Sequence, residues 1–149
     1  MKYQVQTSVE ASPELVMQSL ISKENLAKWQ EGLLSHDMIR GNYGEVGSES
    51  ALVFEGRKGS LEMTETVLSR TDPGLWIVRY RSRGVINDVK NEFLLQEDGT
   101  TLWKATHVFR FRGMMSLMAP FMKTAFQANT QLTMERFRAF VLERVHSKN

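Results

Sequence analysis

The sequence predicts an α+β chain: a meander of antiparallel strands followed by one long C-terminal helix. Two observations carry this. From about Gly47 to Arg112 apolar and polar residues alternate between short glycine-containing turns, the signature of half-buried strands. From Pro120 to Val145 there is no glycine and no further proline, and Met122, Phe126, Phe137, Phe140, Val141 and Val145 recur at helical spacing.

Tyr3, Val5, Thr7 and Val9 share one side of a first strand ending near Glu10. Ser12-Pro13-Glu14 then starts a short helix, because a serine oxygen can cap free amides and proline suits the first helical position. Ser22, Glu24 and Asn25 open a second short helix, with Leu26 and Trp29 as its apolar residues, ending near Gly32. Turns follow at Gly56 to Gly59, Asp72-Pro73-Gly74, Gly84 and Asp98-Gly99. The absence of a linker, repeat or low-complexity tract predicts one domain over residues 1–149.

Composition narrows the function classes. With 42% hydrophobic and 24% charged residues, the chain can build its own core. Nineteen Lys and Arg against 17 Asp and Glu give a formal charge of +2, too small to imply a nucleic-acid partner. The absence of cysteine rules out disulfides, thiolate metal sites and a cysteine nucleophile, and it fits a reducing cytoplasm. No apolar run reaches the roughly 20 residues of a membrane helix, so stable membrane insertion is not expected. His36-Asp37 makes a poor metal pair, because neighbours in a strand point oppositely, and no metal or cofactor is expected. No phosphate loop, nucleophile elbow or zinc motif occurs.

Several local marks lie in a telling order: Ser12-Pro13-Glu14-Leu15-Val16, Asn25 with Lys28-Trp29, Gly44 and Gly47, and Asp98-Gly99-Thr100-Thr101. Together with the element order they resemble the helix-grip fold of the SRPBCC superfamily, which includes START lipid-transfer domains, polyketide cyclases and the birch pollen allergen proteins. The resemblance covers essentially the whole chain. It implies about seven strands, a concave sheet wrapped around the last helix, and a cavity between them.

Strand parity then names the inward residues. Leu52 and Phe54 form one row; Leu61, Met63, Glu65 and Val67 the next; then Trp76, Val78 and Tyr80; then Val89, Asn91, Phe93 and Leu95; then Trp103, Ala105, His107, Phe109 and Phe111. Met118, Met122, Phe126 and Asn129 join them from the helix. Nine methionines add adaptable surface, and Gly113-Met114-Met115-Ser116-Leu117 is either a flexible lid or an ordinary loop. The polar members Glu65, Tyr80, Asn91, His107 and Asn129 need hydrogen bonds, water or a ligand head group.

The expected function is binding or transport of a small hydrophobic ligand, a lipid, polyketide or aromatic. Its candidate site is Phe54, Met63, Glu65, Trp76, Tyr80, Asn91, Phe93, His107, Phe109, Met118, Met122, Phe126 and Asn129. A cyclase or dehydratase using His107 or Glu65 as acid or base is the alternative. A protein-interaction module is a third reading, and an edge strand leaves a homodimer open. The family strand order would place two strands between Glu65 and His107.

Overall fold

The computed structural model describes residues 1–147. Its seven strands are β1 (Lys2–Val9), β2 (Leu33–Arg40), β3 (Glu49–Gly56), β4 (Gly59–Thr71), β5 (Leu75–Ser82), β6 (Val85–Leu95) and β7 (Thr101–Phe111). They form one antiparallel sheet in the order β1-β7-β6-β5-β4-β3-β2. Helices α1 (Pro13–Leu20) and α2 (Leu26–Trp29), separated by a 3-10 turn at Lys23–Asn25, follow β1, and α3 spans Met115–Ser147. This is the helix-grip arrangement.

Local chemistry accounts for the boundaries. Ser12 Oγ accepts from Leu15 N at 3.3 Å, with Pro13 opening the helix, and α1 buries Val16, Met17 and Leu20. In the β6–β7 turn Asp98 Oδ1 accepts from both Thr100 N and Thr100 Oγ1, and Gly99 adopts φ +86. On the outer face Arg79 donates two bonds to the carboxylate of Asp88, its partner directly across β5 and β6.

The core fills the half of the sheet under the C-terminal part of α3. Phe137 is fully buried, edge-on to Trp29 at 5.1 Å and to Trp103 at 5.0 Å. Met134, Phe140 and Val141 flank it over Val67, Val78, Val89, Phe93 and Ala105. Along this stretch α3 rests chiefly on β1, with β7 and α2 beside it.

Four expectations change. β2 begins well before Gly44, and its alternation is hidden by register shifts between Leu33 and Ser35 and between Met38 and Arg40. The second short helix shrinks to a 3-10 turn and one α-helical turn. α3 starts five residues before Pro120, so the Gly113–Leu117 segment is largely its first turn, entered through Gly113 at φ 63. Leu61 and Leu95, assigned inward by parity, are 47% and 68% exposed: Leu61 lies beside the β3–β4 turn and Leu95 is the last residue of β6.

Candidate ligand-binding site

The inward rows divide into a sealed part and a half-open part. Trp76, Asn91 and Phe93 belong to the sealed part, each at most 5% exposed. Asn91 is engaged at both ends there: its Nδ2 donates to Trp76 O at 3.2 Å and its Oδ1 accepts from Trp103 Nε1 at 3.0 Å. Phe54, Met63, Tyr80, Phe109, Phe111, Met122 and Phe126 are all only half-buried. They lie toward the end of the sheet that faces the first turns of α3.

Register fixes how these side chains meet. One transverse row runs Ser50, Glu65, Tyr80, Asn87, Phe109 across β3 to β7, and the next runs Val67, Val78, Val89, His107, Tyr3 across β4 to β7 and β1. Phe126 closes one side of the face, with its ring 5.1 Å from Phe109 and 6.5 Å from Phe111. Met122 sits one helical turn before it, on the same stripe. Met118 and Asn129 do not join: Met118 is 54% exposed on the outward stripe of α3, and Asn129 is also exposed.

Glu65 is the anomaly of this face. It is 2% exposed, and neither carboxyl oxygen has a hydrogen-bond partner among the described residues. Burial drives its pKa from 4.5 up to about 7, offset in part by the nearby hydroxyls of Tyr80 and Tyr43, which approach without completing hydrogen bonds. Both phenols are themselves pushed well above their ordinary range, by desolvation first and then by the charge of Glu65. Their hydroxyls therefore reach inward although each residue as a whole is half-buried.

Tyr43 is the residue that strand parity missed. It lies in the β2–β3 connection between Gly41 and Gly44, both at positive φ, and folds in against His36 (4.7 Å, edge-on) and Trp76 (6.4 Å, edge-on). His36, weighed above only beside Asp37 as a metal ligand, instead holds two buried ring nitrogens without partners, and desolvation lowers its pKa. The Trp76 Nε1 is likewise buried and unpaired. Bracketing glycines around a lone tyrosine were the only sequence signal.

His107 forms a second polar centre, and the strand order does place β5 and β6 between it and Glu65. At a strand spacing of about 4.8 Å, three steps put roughly 14 Å between the two backbones, so the residues act separately. The His107 ring stacks on Tyr3 at 4.8 Å, and Tyr3 Oη lies 2.7 Å from Thr130 Oγ1 of α3. Asn87 Nδ2 donates to His107 Nδ1 at 3.2 Å, which leaves the proton of the neutral ring on Nε2. Desolvation lowers the His107 pKa to about 4, so the ring is neutral at physiological pH. Asn87 Oδ1 is buried without a partner. Carrying the β6 alternation two residues back from Val89 would have found Asn87.

Two hollows lie away from this face. One of about 260 Å³ sits on the outer side among Arg81, Gly84, Ile86, Arg110 and Arg112, and a shallower one of about 850 Å³ runs between α2 and α3 along Lys28, Arg136, Phe140 and Arg144. Neither touches Glu65 or His107.

Residues 1–141 match the family described as polyketide cyclase / dehydrase and lipid transport. The chain belongs to this family. Solved structures share the fold at low identity. A START superfamily protein from Mycobacterium smegmatis superposes with a TM-score of 0.79 at 11% identity, over 95% of this chain and 97% of that one. A protein from Thermus thermophilus gives 0.78 at 15% identity, over 97% and 99%. Ara h 8.0201 gives 0.77 at 12% identity, over 96% and 98%. No curated protein matches the sequence. Among the described residues, no helix is long and apolar enough to cross a membrane.

Proposed function

We propose that this member of the family binds a small, mostly apolar molecule carrying one polar group, in the half-open cleft between the inner face of the sheet and the first half of α3. Phe54, Met63, Phe109, Met122 and Phe126 supply the apolar contact, and burial of the ligand supplies most of the affinity. Glu65, framed by Tyr43 and Tyr80, receives the polar end. The observation that carries this reading is the Glu65 carboxyl itself: a buried group without a partner is costly, and a ligand donor removes that cost. The His107 Nε2–H is the second anchor.

Native mass spectrometry of the purified protein, followed by titration with a panel of lipids, flavonoids and polyketides, tests the reading. A retained or titrated ligand whose affinity drops about tenfold in Phe109→Ala and in Glu65→Gln supports it. Absence of binding across the panel sinks it.

A second reading, a cyclase or dehydratase, is favoured by one fact: a carboxyl titrating near neutral pH can both give and take a proton. In that case Glu65, and not the neutral and weakly basic His107, is the acid–base group. Turnover of a polyketide-like substrate should then fall at least about 100-fold in Glu65→Gln.

A further inference from the structure

Three chain reversals lie together at one end of the sheet: the β3–β4 turn with Arg57 and Lys58, the β5–β6 turn with Arg83 and Gly84, and the junction of β7 with α3 at Arg112 to Met115. The last two are in direct contact. Arg112 N donates to Gly84 O at 2.9 Å, and a Cβ on Gly84 would come within 3.1 Å of Met115 Cγ. The outer-face hollow lined by Arg81, Arg110 and Arg112 opens here as well. Asp88, the carboxylate on the outer face beside Arg81 and Arg110, is already held by Arg79 and reaches Arg110 only at 3.9 Å. Among the described residues Arg81, Arg83 and Arg112 have no ion-pair partner within 4.0 Å, and together with Arg57, Lys58 and Arg110 they outnumber Glu55, Glu62 and Asp88 at this end, an excess of positive charge that the net charge of +2 conceals.

The start of α3 adds a second, independent feature. Met115, Ala119, Met122 and Phe126 form its inward stripe. A different stripe, Met114, Leu117, Met118 and Phe121, faces away from the protein, with exposures of 82%, 71%, 54% and 82%. Leu117, Met118 and Phe121 share one arc of α3, and Met114 lies in the turn that leads into it. Four large apolar side chains in eight positions, all in water, mark an interaction surface rather than a folding element.

We propose that this end of the molecule docks reversibly on an anionic lipid bilayer. Phe121, Leu117 and Met114 enter the boundary between head groups and acyl chains, and Arg81, Arg83 and Arg112 contact lipid phosphates. A bilayer satisfies both features together. A second copy of the chain would cover the apolar stripe but bring two positively charged ends together in one interface. The half-buried residues Met63, Phe111 and Met122 of the inner face lie toward the same end, so a ligand entering the cleft there would enter from the docked side. That last consequence rests on the cleft reading; the docking itself does not.

Co-sedimentation with vesicles of phosphatidylcholine containing about a quarter phosphatidylglycerol is the test, compared with phosphatidylcholine alone. Binding should require the anionic lipid and weaken with added salt. Phe121→Ser should reduce it about tenfold, and Arg83→Glu or Arg112→Glu by at least roughly fivefold each. All three positions are exposed, so circular dichroism should be unchanged. Failure to sediment, equal binding to neutral vesicles, or unaltered binding by the variants overturns the proposal. So does a dimer in sedimentation equilibrium that Phe121→Ser dissolves, which would assign the patch to self-association. Uptake of 1-anilinonaphthalene-8-sulfonate without vesicles separates the two readings: Phe121→Ser retains it if the cleft exists, and its absence from the wild type refutes the cleft while leaving docking to the vesicle result.

Discussion

Replacing Glu65 by glutamine should change how stability depends on pH more than it changes stability at any single pH. The buried carboxyl holds its proton more tightly folded than unfolded, with a pKa of about 7 against 4.5. Its contribution is therefore fully present below about pH 4.5 and is lost as pH rises through 7, where ionisation of a buried, unpaired group sets in. At about 1.4 kcal/mol per pH unit, the loss comes to about 3 kcal/mol. Glutamine does not titrate. The unfolding free energy of Glu65→Gln minus that of the wild type should thus rise by about 3 kcal/mol between about pH 4.5 and 8, whatever fixed cost the amide brings. Urea titrations at half-unit pH intervals, with equal slopes for the two proteins, measure that difference directly. A difference that stays flat would mean that Glu65 titrates like a solvated carboxylate, and the argument from its isolation would fall.

His107 should show the mirror image. Its folded pKa of about 4 lies below the ordinary 6.5, so its contribution is present above 6.5 and lost as pH falls toward 4; His107→Gln therefore removes a rising slope of similar size in the same urea series. Between about pH 4.5 and 6.5 the two slopes oppose each other, so the stabilities of Glu65→Gln and His107→Gln relative to the wild type should move in opposite directions with pH. Phe137→Ala, which empties the fully buried site between Trp29 and Trp103, should cost about 3–5 kcal/mol in thermal or urea unfolding. Asn91→Leu leaves Trp103 Nε1 unpaired in the sealed core and should cost about 1–3 kcal/mol without altering ligand affinity. Gly44→Ala combines a φ of +87 with a Cβ 2.9 Å from Ile21 Cβ, so it should destabilise more than Gly47→Ala, where φ is +85 and nothing lies within 4 Å; paired melting curves make the comparison.

The fold was legible because alternation persists where one face of a strand is buried and the other is wet. Val89, Asn91 and Phe93 against Asp88, Lys90 and Glu92 is the clearest case, and burial follows it residue by residue. The signal failed where backbone irregularity broke the period. β2 carries two register shifts in eight residues, so no clean alternation marked its span or the inward side of His36. Pro120 invited a helix start at the wrong place: lacking an amide hydrogen, it gives up one bond to the preceding turn, and α3 continues through it. The site was half visible for a related reason. Parity found Glu65, Tyr80, His107 and Phe109, which sit on strands. It could not find Tyr43, whose position depends on a loop folding back over Trp76, nor tell the sealed Asn91 from the unpaired Glu65, because satisfaction of a buried polar group depends on neighbours distant in sequence.

The pairing of β1 with β7 sets a condition on synthesis. Tyr3 meets His107 and Val9 meets Thr101, so the first strand has no partner in the sheet until roughly a hundred further residues have been made. At a translation rate of about 5–20 residues per second, that is an interval of about 5–20 s in which an apolar strand edge is held in waiting. The nascent meander of β2 to β6 can assemble in the meantime, each strand against the one before it. Closure by β1 and β7, and with it the seating of Tyr3 beside His107 and α3, comes after the meander, so the second polar centre exists only once β7 and the first half of α3 have been made.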